Sequence, residues 1–145
     1  MLKRTALILI ILAVTCLDHG LFAQAAESHD DAPLMKSIFF GGGSYYVDQE
    51  QIQELQEFIS ELPNIMQYTI SIHSHTDNIG SMDYNNWLSQ MRSESVIYEL
   101  VVQNIPIENI FIKDFGEYNP VFSNTTHKGR MMNRRVDIIF EPIVF

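Results

Sequence analysis

The chain has 145 residues, 46% of them hydrophobic, with 18 acidic against 9 basic residues and a formal net charge of −9 at pH 7. That length suits one domain with a core of its own and leaves little for a second. A surface of that sign argues against nucleic acid as a partner, because phosphate binding needs a basic face.

Lys3 and Arg4 precede an apolar run from Thr5 to Leu17, which Asp18, His19 and Gly20 end. A spanning helix needs about 20 apolar residues, so the charged start and the shorter run read as a secretory signal. Ala23-Gln24-Ala25 supplies a small-x-small cleavage pattern, and residues 1–25 are therefore read as a signal peptide. Cys16, the only cysteine, offers a rival site. Processing just before it would give a lipid-anchored protein, the one case in which a membrane becomes a partner. Thr15 in front of it is larger than the glycine, alanine or serine usual there. Cleavage after Ala25 leaves 7 basic and 17 acidic residues, a net charge of −10, and no cysteine for a disulfide.

Residues 26–36 are polar and acidic with one proline, and read as a short leader. A domain over 37–145 follows. Ser37 to Phe40 fits a short strand, and Gly41-Gly42-Gly43-Ser44 a loop. Asp48 with Gln51 has capping-box spacing, Val47 and Ile52 can form a staple, and Ile52, Leu55, Ile59 and Leu62 recur at helical intervals up to Pro63. Tyr68, Ile70 and Ile72 alternate with Thr69, Ser71 and His73 as in a strand buried on one face. The turn Asn78-Ile79-Gly80-Ser81 leads to a long helix from about Met82 to Asn104, apolar through Leu88, Met91, Val96, Leu100 and Val102. Ile110 to Ile112 predicts a third strand, 116–133 a loop, and Arg134 to Glu141 a last strand. The order β-α-β-α-β-β predicts an α+β fold, a mixed sheet with helices packed on it.

Four places could carry chemistry. Asp77 ends a strand, and Asn85 and Arg92, seven residues apart, project from nearly the same side of the next helix. Spacing leaves two readings open: a plain Asp77–Arg92 salt bridge, or a cleft that grips a zwitterion, ammonium on Asp77 and carboxylate on Arg92. His73-x-His75-x-Asp77 has the spacing of a metallo-hydrolase motif, but supporting ligands are lacking, and no metal or other cofactor is expected. The glycine loop reads as a flexible turn, without the lysine-serine that a phosphate loop requires. Arg130, Arg134 and Arg135 form a basic cluster facing Asp137 and Glu141. Tyr45, Tyr46 and Trp87 could stack on sugar or serve as core or rim. No nucleophile–base–acid set is present, so no enzyme is expected. Asp83 is better explained by the helix dipole than as a partner of Asp77 in cutting glycan.

The segment Thr76 to Arg92, T-D-N-I-G-S-M-D-Y-N-N-W-L-S-Q-M-R, resembles the signature of the OmpA-like peptidoglycan-binding domain, T-D-x-x-G followed by N-x-x-L-S and an arginine. Phe115 to Pro120 resembles that family's G-x-G-E-x-x-P loop, and Gly129 to Val136 its G-R-x-x-N-R-R-V close, so the likeness covers about 37–142. The resemblance implies helices on one side of a mixed sheet. It also implies a pocket for the diaminopimelate of peptidoglycan stem peptides, with Asp77 on its ammonium, Arg92 on its carboxylate and Asn85 adding a hydrogen bond. Backbone near Gly43 and Ser44 would touch the ligand, and Arg135 would stand beside the pocket. The location implied is the periplasm or cell envelope, with peptidoglycan, and outer-membrane proteins or lipoproteins, as partners. The sequence departs from the pattern at Ser74, His73 and Trp87; an indole leaning over the cleft would narrow it. The competing reading keeps the fold, fills the pocket with Trp87 and binds another envelope protein. A hydrolase using His73, His75 and Asp77 is the third.

Overall fold

The computed structural model describes residues 34–143. The span read as a signal peptide, the alternative processing sites at Cys16 and Ala25, and most of the span read as leader lie outside the described residues. Strand β1 runs Leu34–Phe39, helix α1 Gln49–Glu61, β2 Tyr68–His75, α2 Met82–Val102, β3 Ile110–Gly116, α3 His127–Asn133 and β4 Arg135–Pro142. Among the described residues no helix is long and apolar enough to cross a membrane.

The four strands form one sheet in the order β1-β4-β2-β3. β4 pairs antiparallel with both β1 and β2, and β2 pairs parallel with β3. A parallel neighbour needs a crossover, and α2 supplies it between β2 and β3. The alternating residues Ile70 and Ile72 of β2, Val136, Ile138 and Phe140 of β4, and Ile38 of β1 pack into one core with Leu55 and Ile59 of α1 and Val96 and Leu100 of α2. Each such side chain taken from water contributes about 1.5–3 kcal/mol, so this layer holds the helices to the sheet. The other face carries Ser71, His73 and His75 of β2 and Arg135 and Asp137 of β4.

Three expectations change. β1 begins at Leu34, inside the span read as leader, because Lys36 reaches Glu54 of α1 at 2.7 Å and the backbone has β4 to pair with. β3 continues to Gly116, past an irregularity where Ser74 pairs with Asp114 but His75 with Gly116. Residues 127–133, read as loop, form α3, so the order is β-α-β-α-β-α-β. Only seven residues long and with Gly129 inside it, α3 is held by tertiary contacts more than by helix propensity. Thr126 caps it, accepting from the Gly129 amide at 3.0 Å. Asn133, fully buried, exchanges two hydrogen bonds with the Phe122 backbone and donates a third to Asn124 Oδ1 at 2.8 Å.

Candidate functional site

The turn after β2, the glycine loop, the first turns of α2 and the C-terminal end of α3 meet around a hollow of about 360 Å³. Gly42, Gly43, Asp77, Tyr84, Arg130 and Arg134 are among the residues that line it. Two glycines shape its walls. Gly43 has φ +69, and a Cβ there would sit 3.2 Å from the Tyr84 hydroxyl; Gly80 has φ +114, with Tyr84 3.0 Å from where its Cβ would be. Left-handed backbone of this kind costs other residues about 1 kcal/mol or more, so both positions favour glycine. Ser81 caps α2 through the Tyr84 amide at 3.2 Å and points its first turn at the hollow.

Asp77 is buried and doubly held. One oxygen accepts from the Ile79 amide at 3.1 Å, an Asx-type turn that fixes the chain as it leaves β2. The other accepts from Nη1 of Arg134 at 3.0 Å. The hollow therefore contains a facing carboxylate and guanidinium, but the guanidinium is that of Arg134. Among the described residues no hydrogen bond or ion pair joins Asp77 to Arg92.

Arg92 is 0% exposed. Its Nε donates to the Ser44 carbonyl at 2.9 Å, Nη1 to the His75 carbonyl at 3.0 Å and Nη2 to the Gly41 carbonyl at 3.2 Å. The guanidinium also lies 5.0 Å from the centre of the Phe40 ring. Burial lowers its pKa to about 10, while the charge of Asp77 works the other way. It is a cation at neutral pH, tying both ends of the glycine loop to the end of β2. Arg92, expected from the sequence to meet a ligand carboxylate, directs its donors to carbonyls of the loop that walls the hollow and of β2.

Asn85 is likewise fully buried, behind Gly80. Its Nδ2 donates to Glu117 Oε2 at 2.7 Å, and its Oδ1 has no hydrogen-bond partner among the described residues. Gly43 lines the hollow; Ser44 contributes its carbonyl to Arg92, and its hydroxyl accepts from the Tyr46 amide. Arg135 points away. Its Nε donates to both oxygens of Asp137 at 3.0 and 3.1 Å, and its guanidinium lies 5.8 Å from the Phe122 ring, on the face of the sheet without the core. Neighbouring strand residues face opposite ways, so Arg134, just ahead of β4 and with the parity of Val136, Ile138 and Phe140, is the one of the two that lines the hollow. Trp87 is not among the residues lining the hollow; it packs between Tyr45 and Tyr84.

His73 and His75 do not converge with Asp77. On the open face His75 stacks on Phe115 at 5.1 Å and His73 meets the same ring edge-on at 5.5 Å. The carboxylate near His75 is that of Asp137, at 3.9 Å. Burial lowers the pKa of both histidines, that of His75 to about 4. Among the described residues no three histidine, cysteine or acidic side chains are grouped to hold a metal ion.

Comparison with known proteins agrees with this architecture. The chain is 33% identical over 132 residues to Motility protein B of Bacillus subtilis (strain 168), which covers 87% of this chain and 50% of that protein. It is 33% identical over 113 residues to Outer membrane protein A of Bordetella avium, covering 74% of this chain and 58% of that protein. The chain thus spans about half the length of these curated relatives. Among solved structures it resembles the peptidoglycan-associated lipoprotein from Burkholderia pseudomallei, with a TM-score of 0.68 and 27% identity over 73% of this chain and 90% of that one. None of these is named as an enzyme. The family model described as OmpA family matches residues 39–134, from the end of β1 through Asp77 to Arg134. With the match spanning well over half of the sequence, the chain belongs to the OmpA family.

Proposed function

We propose that the domain binds peptidoglycan non-covalently by taking the free amino-acid end of a stem peptide, the diaminopimelate side chain, into the hollow beside Asp77, and so anchors or organises the cell envelope. The observation that carries this reading is the Asp77–Arg134 pair at 3.0 Å, at the wall of a hollow of about 360 Å³. A zwitterion entering between them exchanges one ion pair for two: its ammonium goes to Asp77 and its carboxylate to the planar fork of Arg134. Arg92 adds positive field from behind and holds Gly41 and Ser44 so that the Gly42-Gly43 backbone can come close to the ligand. Binding of this kind needs no nucleophile and no cofactor. The relatives include an outer-membrane protein, a lipoprotein associated with peptidoglycan and a motility protein, which supports the cell envelope as the compartment. Trp87 stands outside the hollow, so the reading in which the indole fills it and the domain serves only a protein partner draws no support from the geometry.

Each charge-assisted hydrogen bond to the ligand contributes about 1.5–3 kcal/mol, and truncating one partner of a buried charge pair costs about 2–5 kcal/mol. Asp77→Ala and Arg134→Ala are therefore expected to abolish co-sedimentation with insoluble cell-wall sacculi, with far-ultraviolet circular dichroism unchanged. Pelleting of both variants at wild-type levels would remove the hollow from consideration.

A further inference from the structure

Beside the hollow runs a row of aromatic side chains that stem binding does not use. Tyr84 lines the hollow, and its ring lies 5.8 Å from that of Trp87. Trp87 in turn meets Tyr45 edge-on at 5.9 Å. Tyr45 then lines a second groove of about 430 Å³, with Tyr46 and Tyr98, between the glycine loop and α2. Tyr46 is 73% exposed, Tyr98 66% and Trp87 46%. A contiguous run of water-facing aromatics marks a binding face more often than a structural one. Glu94 and Glu99 line the same groove, and among the described residues neither has an ion-pair partner.

We propose that this row is a glycan subsite, which stacks on the sugar rings of the polymer whose stem occupies the hollow; the inference rests on the stem-binding reading above. A pyranose offers a face of polarised C–H groups to the negative face of an aromatic ring, and its hydroxyls can donate to the carboxylates of Glu94 and Glu99. Reach agrees with this. About two stem residues separate diaminopimelate from the sugar, a span of roughly 7 Å at full extension. The 5.8 Å spacing from Tyr84 places Trp87 within that range of the hollow's edge, and Tyr45 follows one ring further on, 5.9 Å from Trp87. A basic protein segment would also suit tyrosines and glutamates, but it would not require the row to begin inside the hollow.

The test uses the full chain, three probes in calorimetric titrations (a disaccharide bearing the diaminopimelate tripeptide, the bare tripeptide, and glycan strands stripped of their stems) and, for the emission readout, a lysine-rich peptide as a fourth. The wild type is expected to bind the disaccharide-tripeptide roughly 5–50-fold more tightly than the bare tripeptide, as two ring contacts would give. The double variant Tyr45→Ala, Trp87→Ala is expected to bring the two affinities within about twofold of each other, leaving that for the bare tripeptide as it was. Trp87→Phe keeps most of the difference. Trp87 is the only tryptophan, so stripped glycan should also shift the intrinsic emission. Equal wild-type affinity for the two peptides, or equal losses for both in the double variant, overturns the glycan subsite alone. Failure of the bare tripeptide to bind overturns the stem reading and this one with it. An emission shift with a lysine-rich peptide but not with glycan assigns the groove to a protein and overturns the subsite.

Discussion

Three arginines show that position decides what a guanidinium does. Arg134 leaves part of its fork toward the hollow, Arg135 is locked to Asp137, and Arg92 is enclosed by carbonyls. Truncating Arg92 would leave the Gly41, Ser44 and His75 carbonyls without that donor and open a void beneath Phe40. Leaving a buried acceptor without its donor costs about 1–3 kcal/mol, and three lose theirs, so Arg92→Ala is expected to lower the melting temperature by more than about 10 °C. Asp77→Asn should move it far less. A calorimetric scan separates them: equal melting temperatures for the Arg92 variant and the wild type would mean that those three hydrogen bonds do not hold the loop. Loss of wall binding in an Arg92 variant is thus expected to follow from a misplaced glycine loop, and Arg92→Lys, which keeps the charge but not the fork, should recover only part of it. The sequence made Asp77 and the buried side of α2 legible, because a strand end and a seven-residue helical spacing are local patterns. It did not make the partner legible. Sequence spacing pairs Asp77 with Arg92, whereas the ion pair in the structure is to Arg134, 57 positions further along the chain and brought to the end of β2 only by the fold.

At the scale of elements, the strands and the two long helices follow from period and punctuation. The alternation read over Tyr68 to His73 and the Asp48 cap survive into the structure, and Ser81, read as the end of a turn, proves to cap α2. α3 does not, because its reasons are remote from its own sequence: Asn133 is bonded to Phe122 and Asn124, and Gly129 lies against the Ser123 backbone. A Cβ on Gly129 would overlap the Ser123 carbonyl oxygen, which is backbone and cannot swing aside. Gly129→Ala is therefore expected to push the 123–126 turn off α3 and to disturb Arg130, whose Nη1 bonds the Asn124 carbonyl at 2.8 Å. The destabilisation should be about 1–3 kcal/mol, the range of overpacked sites, with a drop in sacculus binding beyond what the melting temperature explains. A Gly129→Ala variant that binds as the wild type does would show that α3 merely closes the fold. Capping is a smaller and cleaner effect: Ser81→Ala should cost about 1 kcal/mol in denaturant unfolding, and a change under a few tenths would mean that Tyr84 keeps its amide bonded elsewhere.

For the molecule as a whole, pH acts through the face of the sheet opposite the core. There Asp137 accepts from Ser37 at 2.6 Å and from Arg135, with His75 at 3.9 Å. Lys113 stands on β3 across from His73. Desolvation is the main cause of the lowered His75 pKa; Arg135 and His73 push the same way, and Asp137 opposes them. With an ordinary value of 6.5 and a folded value of about 4, the unfolded chain binds more protons than the native one between those limits. Stability from this group is complete above pH 6.5 and is lost as pH falls from 6.5 toward 4. Burial of His73 acts in the same direction. The loss is expected to be about 1–2 kcal/mol, less than the full shift implies, because solvent screens part of the field. Urea unfolding at matched ionic strength between about pH 7.5 and about pH 4.5, which brackets most of that window, measures it. His75→Gln cannot take up the proton, so its stability should fall less over the same interval. The two slopes coinciding would place the acid sensitivity elsewhere, in carboxylates common to both proteins. The hollow is built on the other side of β4, where Arg134 meets Asp77 and no histidine lines the wall. Sacculus binding per folded molecule should consequently stay constant while the folded fraction declines. A steep loss of binding near about pH 5, inside the histidine window, with the fold intact would contradict the separation of the two faces.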